Sequence, residues 1–211
     1  MNPVILTSAY LAPVHYYTKL YAAPAVIEER CEHYVKQTYR NRCVIAGPDG
    51  PLALTLPIEH GGHRPATRDI RLSDHGNWRH LHWNALCSAY EGSPFFEYYA
   101  DDFRPFYERR FEFLVDFNEA LSATVCSLLD LHPRITPTEA YLTEVPAGTD
   151  DFRETIRPKV PYTDDPAFHP QPYFQVFRQR TGFLPNLSIV DLLFNMGPET
   201  RLVLRDSIVR G

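Results

Sequence analysis

The sequence predicts an α/β, or α+β, fold in a single domain of residues 1–211. Near the N-terminus, two short apolar segments flank a helical segment, which is the order of a parallel β–α–β unit. Two further strand-like segments meet at the turn-forming sequence Gly47-Pro48-Asp49-Gly50. Beyond Trp78, apolar residues recur with helical spacing. We therefore expect a small mixed sheet from the N-terminal half, packed by helices from the C-terminal half.

The N-terminal elements follow from short apolar runs and their breakers. Val4–Ser8 predicts a buried strand, Val14–Ala23 a helix that ends before proline, and Ala25–Glu29 a second strand. Tyr34–Ile58 predicts two strands joined at the turn, and Asp69–Ser73 a further short strand.

Three helices are expected in the middle of the chain. Asn77 can cap a helix from Trp78 to about Tyr90. Residues 95–108 predict a shorter helical stretch that is broken near Pro105. Residues 113–131 show the clearest amphipathic pattern in the chain, with apolar residues at i, i+3, i+4 and i+7.

The last third opens with a Pro- and Asp-rich segment, residues 148–172, which predicts a long surface loop. Such a loop serves as a lid or a binding loop, or is disordered. Residues 173–177 predict a strand. Ser188 and Asp191 have the spacing of a capping box that opens the next helix. Gly197-Pro198 ends that helix and begins the final one.

Composition excludes several classes of protein. The hydrophobic fraction of 44% and the charged fraction of 22% are typical of a soluble globular domain. A net charge of −5 disfavours a general nucleic-acid binder, which needs a broad basic face. No apolar run approaches the roughly 20 residues that cross a bilayer, and the N-terminal segment lacks the basic leader of a signal peptide. A cytoplasmic location without membrane insertion is therefore expected.

The cysteines and histidines do not predict a metal site. Four cysteines without a CxxC pair predict free thiols rather than disulfides or structural zinc: Cys31, Cys43, Cys87 and Cys126. His60 and His63 have no further ligands nearby in sequence, and no nucleotide-binding or hydrolase motif is present. We predict neither a metal nor a cofactor.

The segment Lys36–Arg42 (KQTYRNR) concentrates positive charge in an acidic chain. On a strand, its side chains alternate between two faces. One face would carry Lys36, Thr38, Arg40 and Arg42, and the other Gln37, Tyr39 and Asn41. The cationic face suits a phosphate or carboxylate. The alternative is an edge strand that charge protects from aggregation, and spacing alone favours that alternative.

His82 lies at the centre of an apolar helix face, one turn from Trp78. A histidine in that position is usually a satisfied core residue, but it can also act as a general base or acid beside a pocket. The second polar cluster lies near the C-terminus, where polar side chains stand in an apolar context: Gln175, Asn186, Asp191 and Asn195. Such groups either hold a turn together or face a ligand.

Five segments together resemble the WbqC-like family of bacterial proteins. They are AYLAPVHYYTKLY, YVKQTYRNRCVIAGPDG, LTLPI, WRHLHWNALCSAYEGSPFFEYY and YFQVFRQRTGFLPNLSIVDLLFNMGP, which spread over nearly the whole chain. The resemblance makes anion binding the preferred interpretation of KQTYRNR. One feature departs from the better-known members: Leu6, Thr7 and Ser8 occupy the place of their His-Gln-Pro run, so the chain resembles a separate branch of the family.

The family is named for a protein of O-antigen gene clusters, and a role in modifying surface sugars is attached to some of its members. The resemblance therefore implies acyl or aminoacyl transfer to an amino sugar or similar acceptor. In this hypothesis Lys36, Arg40 and Arg42, with Gln37 and Asn41 beside them, bind an anionic small molecule, an activated sugar or acyl donor. Trp78 and Tyr90 stack on its neutral part and His82 is the catalytic base. Gln175, Asn186 and Asn195 orient the acceptor. The alternative is a non-catalytic ligand-binding or scaffold protein of envelope biogenesis.

Overall fold

A computed structural model describes residues 1–59 and 62–209 of the chain. Its strands are β1 (Val4–Thr7), β2 (Val26–Glu29), β3 (Arg42–Gly47), β4 (Gly50–Thr55), β5 (Ile135–Pro137) and β6 (Asp150–Asp151). Its α-helices are α1 (Val14–Ala22), α2 (Trp78–Tyr90), α3 (Phe96–Glu108), α4 (Leu114–Leu128), α5 (Arg178–Thr181), α6 (Ile189–Met196) and α7 (Thr200–Asp206). None of the helices in the described ranges is long and apolar enough to cross a membrane.

The α/β class and the single domain are confirmed, and the strands are divided between two sheets. The first sheet is parallel, with the order β5-β2-β1-β6, and the second is the antiparallel hairpin β3-β4. All four residues of β1 are buried, as its uninterrupted apolar run requires in a central parallel strand. The two flanking strands of this sheet come from the C-terminal half of the chain. Glu28 and Glu29 end β2 beside Leu6 and Thr7 of β1.

Helix α1 is buried over most of its length, including the polar residues His15 and Lys19. It contacts α6 and α7, so the C-terminal helices cover the side that would otherwise face solvent. Proline on each side of the helix sets its limits, since Pro13 precedes the first turn and Pro24 follows the last.

The prediction that KQTYRNR is a strand is wrong, because residues 36–41 form turns and only Arg42 belongs to β3. Gln37 has a left-handed backbone with φ of 60°. The Thr38 hydroxyl donates to the carbonyl of Val35 at 2.9 Å, which closes a local turn that competes with strand pairing. The strand predicted at 69–73 is also absent, since this segment contributes only isolated bridges at Arg71 and Leu72.

The three helices of the middle of the chain, α2, α3 and α4, match the predicted pattern with two corrections. Asn77 makes no side-chain capping bond, because its own backbone is left-handed with φ of 50°. Helix α3 does not break at Pro105 but continues to Glu108. Its buried residues Phe103 and Tyr107 pack on both sides of the proline, and this packing offsets the missing backbone donor.

The segment 148–172 is irregular but is not confined to the surface. It supplies β6 at the edge of the parallel sheet, and it buries Ile156, Asp165 and Phe168. The histidine at position 60, considered above for a metal pair, lies outside the described residues.

Residues 173–177 do not form a strand, because the side chain of Gln175, and not a neighbouring strand, makes hydrogen bonds with the backbone of Leu184. Gln175 Nε2 donates to the carbonyl of Leu184 at 2.9 Å, and the Leu184 amide donates back to Gln175 Oε1 at 2.9 Å.

The capping box is also wrong. Ser188 donates to the carbonyl of Leu11 at 2.7 Å, and Asp191 turns into the interior. Gly197 does end α6, with φ of 53° and with the Phe95 ring 2.5 Å from where a Cβ would lie.

Candidate functional site

A groove of about 480 Å³ lies between α4 and the strands β2 and β5. Its volume is within the range of small-molecule sites. The helix contributes small side chains once per turn, and this leaves room above the exposed edge strand β5. The groove is lined by Ala9, Tyr16, Glu28, Arg30, Asn118, Glu119, Ser122, Ala123, Cys126, Ser127, Leu131, His132, Pro133, Ile135 and Pro137. We call it the α4–β5 groove.

Two charged residues of the groove, Glu28 and Arg30, lie at the carboxyl end of β2, where ligands commonly bind in α/β folds. Glu28 is only 7% exposed, and Arg30 Nε donates to Glu28 Oε2 at 2.5 Å. Burial raises the pKa of Glu28 above its ordinary value, although the nearby Arg30 opposes the shift. A buried carboxyl with a raised pKa in a groove is a candidate general base.

Asn118 provides an unsatisfied acceptor at the same site. Its Nδ2 donates to Ser8 Oγ at 3.0 Å and to the carbonyl of Arg40 at 2.8 Å. Its Oδ1 is buried and accepts no hydrogen bond from residues 1–59 or 62–209. Because an unpaired buried acceptor is costly, an N–H or O–H group of a ligand would be stabilised there.

Two further lining residues, Cys126 and Tyr16, are chemically passive. Burial raises the pKa of the Cys126 thiol to about 11, so the nucleophilic thiolate is scarce at neutral pH. The Tyr16 hydroxyl donates to the carbonyl of Thr7 at 3.1 Å, which leaves its ring as an apolar surface. All four cysteines are free, as predicted. Among the described residues, no group of three or more His, Cys, Asp or Glu side chains could hold a metal ion.

The cations of KQTYRNR do not share one face, so that interpretation is wrong. Arg40 is buried and its Nε donates to Glu32 Oε1 at 3.0 Å, whereas Arg42 Nε donates to Thr55 Oγ1 at 3.1 Å. Lys36 is exposed and lines a separate cavity of about 380 Å³.

The two amides of the same segment are also apart. Gln37 is exposed, and Asn41 Nδ2 donates to the carbonyl of Leu56 at 2.9 Å. Anion binding by this segment stays a prediction that the diverging side chains do not support.

His82 is buried in an aromatic cluster and does not line the groove. Its Nδ1 lies 3.0 Å from the Tyr10 hydroxyl, which in turn lies 3.0 Å from the Tyr107 hydroxyl. The Trp78 ring meets the imidazole edge-on at 5.4 Å, and Trp78 Nε1 donates to the carbonyl of Ser73 at 2.8 Å. The catalytic role of His82 stays a prediction, and this placement favours a structural role.

The structure brings Tyr90 and Gln175 together around the buried Asp191. The Tyr90 hydroxyl donates to Asp191 Oδ1 at 2.8 Å, while Gln175 Nε2 and the Tyr173 hydroxyl donate to Oδ2 at 2.9 and 2.6 Å. Asn195 Nδ2 donates to the Asp191 carbonyl at 2.7 Å. Burial raises the pKa of Asp191, and the three donors oppose that shift.

Asn186 is the remaining polar residue of the C-terminal prediction. Its Oδ1 accepts from the backbone amide of His15 at 2.9 Å and so caps the start of α1. None of these side chains lines the groove, and their substrate-binding roles stay predictions.

Sequence reasoning missed the residues that do line the groove, chiefly Glu28, Arg30, Asn118 and Glu119. Two signals were available. Charged residues at the end of a buried parallel strand often mark a ligand site. Asn118 also interrupts the apolar face of α4 between Leu114 and Leu121.

A structural role for His82 predicts a pH effect on stability. Burial lowers the pKa of His82 from 6.5 to about 4. The unfolded chain therefore binds the proton first, and the folded state loses stability as pH falls from about 6.5 towards 4. We expect His82 to account for roughly 2 kcal/mol of stability loss between pH 7 and pH 5. Urea unfolding should therefore show that, between pH 7 and pH 5, His82→Asn loses roughly 2 kcal/mol less stability than the wild type.

The exposed His80, on the same helix, supplies the control for this measurement. His80→Asn should retain the wild-type pH dependence. If His82→Asn lost as much stability as the wild type over this range, the assigned titration of His82 would be wrong.

Comparison with known proteins gives two matches. The sequence model of the WbqC-like protein family matches residues 8–156. The chain is also 27% identical over 195 residues to the uncharacterized protein Rv1507c of Mycobacterium tuberculosis, an alignment that covers 82% of this chain and 84% of that protein. No solved structure matches the chain.

Proposed function

The chain belongs to the WbqC-like protein family, and from that premise we propose that it is a transferase whose acceptor binds in the α4–β5 groove. The transferred group is an acyl or aminoacyl group, and the acceptor is an amino sugar or a similar molecule used in surface-polysaccharide synthesis. The donor is an anionic, activated small molecule, and the reaction takes place in the cytoplasm.

One observation carries this proposal: the groove is lined both by a residue with a buried carboxyl of raised pKa and by a residue whose buried amide oxygen accepts no hydrogen bond from residues 1–59 or 62–209. Glu28 supplies the carboxyl and Asn118 the acceptor. An acceptor substrate with amine or hydroxyl groups satisfies both, because it can donate to Asn118 Oδ1 and lose a proton to Glu28. The Tyr16 ring provides an apolar face for the sugar ring.

The reaction follows from these roles. The acceptor nitrogen or oxygen attacks the carbonyl carbon of the activated donor while Glu28 takes its proton. A new C–N or C–O bond forms, the bond to the leaving group breaks, and the proton departs with that group. Arg30, the cation of the groove, stabilises negative charge that develops on the carbonyl oxygen.

The same groove also suits the second candidate, a non-catalytic ligand-binding protein. Arg30 already pairs with Glu28, and a carboxylate held by arginine is a weaker base than a free one. The two candidates differ in whether a bound donor and acceptor are converted to product.

A binding screen tests the proposal. Amino sugars and their nucleotide-linked forms should bind the wild type, and Asn118→Leu should weaken that binding roughly tenfold or more because one buried hydrogen bond is lost. Affinities should be measured well below the melting temperature of each variant. Thr124→Val, on the same helix but outside the groove, is the matched control.

The donors should be tested with the acceptors that bind. Product formation from acyl-CoA or aminoacyl donors supports transfer, and binding without product favours the non-catalytic alternative. No binding by any of these classes, or equal affinity in wild type and Asn118→Leu, contradicts the assignment of the groove.

A further inference from the structure

At the mouth of the α4–β5 groove, one guanidinium joins two carboxylates that differ in exposure. Arg30 Nη2 contacts Glu28 Oε2 inside the groove and lies 3.1 Å from Glu119 Oε2 at the rim. The side chain of Glu119 is 59% exposed, whereas that of Glu28 is 10% exposed. Because exposed ion pairs contribute little, the Glu119 contact can be exchanged at low cost while the Glu28 contact persists.

We propose that Glu119 is an internal competitor for a ligand carboxylate. Its side chain occupies the position at Arg30 where the carboxylate of a bound ligand docks, and the ligand displaces it into solvent. This inference rests on the proposed function only in using the same groove. It adds a substrate class, a carboxylate attached to an apolar body, and a residue that sets the affinity for it.

The donor geometry of Arg30 supports a carboxylate ligand. A guanidinium binds a carboxylate best through two parallel N–H donors. Arg30 Nε is committed to Glu28, and Nη1 donates to no group in residues 1–59 or 62–209. Nη2 carries two N–H groups, of which one stays on Glu28; once Glu119 leaves, the other N–H of Nη2 and an N–H of Nη1 present a parallel pair of donors at the mouth.

The charges at the mouth of the groove explain why Glu119 lowers the affinity for a ligand carboxylate. With Glu119 in place, two carboxylates face one arginine, so a third anion is repelled. Glu119 lies on the solvent side of α4 and can rotate away from the mouth, which removes this repulsion. The ligand's apolar body then meets Tyr16, Leu131 and Ile135 inside the groove.

The test uses the full chain labelled with ¹⁵N-arginine, and the Nε–Hε signal of Arg30 is assigned by its loss in Arg30→Lys. Butyrate and orthophosphate are titrated into the wild type, Glu119→Gln and Asp116→Asn. Asp116 is an exposed acid on the same helix outside the groove, so it controls for the change in net charge. We expect Glu119→Gln to bind butyrate about 3–5-fold more tightly than the wild type, and Asp116→Asn to change affinity by less than about 1.5-fold.

Three results would overturn the inference. The first is an equal gain in butyrate affinity in Glu119→Gln and Asp116→Asn. The second is butyrate binding that does not shift the Nε–Hε signal of Arg30. The third is a Glu119→Gln variant that binds orthophosphate, but not butyrate, more tightly than the wild type. The proposed function can fail independently of this inference. If Glu119→Gln tightens butyrate binding but no pair of donor and acceptor yields product, the role of Glu119 as a competitor is supported and the transferase function is contradicted. If product forms but Glu119→Gln and Asp116→Asn bind butyrate with equal affinity, only the competitor role of Glu119 is contradicted.

Discussion

The Glu28→Gln variant is expected to lose transfer activity by about two orders of magnitude or more, because positioned general bases contribute roughly 10²–10⁴-fold. Glutamine keeps the size of the side chain and can still contact Arg30, but it cannot accept the acceptor's proton. It should also fold. Burial disfavours the ionised form of Glu28, as its raised pKa indicates, so a neutral side chain removes that cost at neutral pH.

Steady-state kinetics at several pH values measures the effect. In the wild type, kcat/KM should fall as the medium is acidified through the pKa of Glu28, which lies above the ordinary carboxyl value, and this limb should vanish in Glu28→Gln. Glu97→Gln removes an exposed carboxylate from α3 and should leave activity unchanged. Activity in Glu28→Gln within about threefold of wild type would exclude Glu28 as the base.

The Lys19→Met variant is expected to lose roughly 3–5 kcal/mol of stability, because it leaves a buried carboxylate without its cation. Lys19 of α1 is fully buried, and its Nζ contacts Asp165 Oδ2 in the segment 148–172. His15 Nε2 lies 2.7 Å from the same oxygen, and the His15 ring stacks on Phe168 at 4.4 Å. These contacts attach the irregular segment 148–172 to the buried helix α1.

Urea unfolding at neutral pH gives the size of the effect. Lys159→Met, an exposed lysine of the same segment, should change stability by less than about 0.5 kcal/mol. The double variant Lys19→Met/Asp165→Asn should recover part of the loss, since it removes both charges. A Lys19→Met protein as stable as the control would mean that this ion pair does not hold the segment.

The same cluster has a defined pH dependence. Although burial alone raises it, hydrogen bonds from His15 and Lys19 hold the pKa of Asp165 well below its usual range. Its stabilising contribution is therefore complete above the unfolded pKa of about 4 and is lost as the pH falls further. Burial lowers the pKa of His15, so protonation of the unfolded chain destabilises the fold already below about pH 6.5.

The local patterns of the sequence predicted much of the fold. β1, α1, β2, α2 and α4 were found because apolar periodicity and flanking prolines act over a few residues. KQTYRNR and residues 173–177 were misassigned because side-chain bonds to the backbone replace strand pairing there. The edge strands β5 and β6 are too short for periodicity to detect, since they span three and two residues.

The site was much less predictable, because its contacts join distant parts of the chain. The bond from Asn118 to Ser8 spans 110 residues, and no sequence spacing indicates it. Arginine and histidine are common in functional sites, but the Arg40 guanidinium is hydrogen-bonded to Glu32 and the His82 imidazole to Tyr10 in the interior. Residue type alone therefore pointed to groups that are paired in the interior, and the groove is formed only where the parallel sheet brings the end of β2 close to α4.

A crystal structure of the protein with an amino sugar that binds in the screen would show directly whether the α4–β5 groove is the acceptor site. We expect the ligand in the α4–β5 groove, with an N–H or O–H donor within about 3.2 Å of Asn118 Oδ1 and its nucleophilic atom within hydrogen-bond distance of Glu28. A ligand bound beside Lys36, or next to His82, with the groove empty would contradict it.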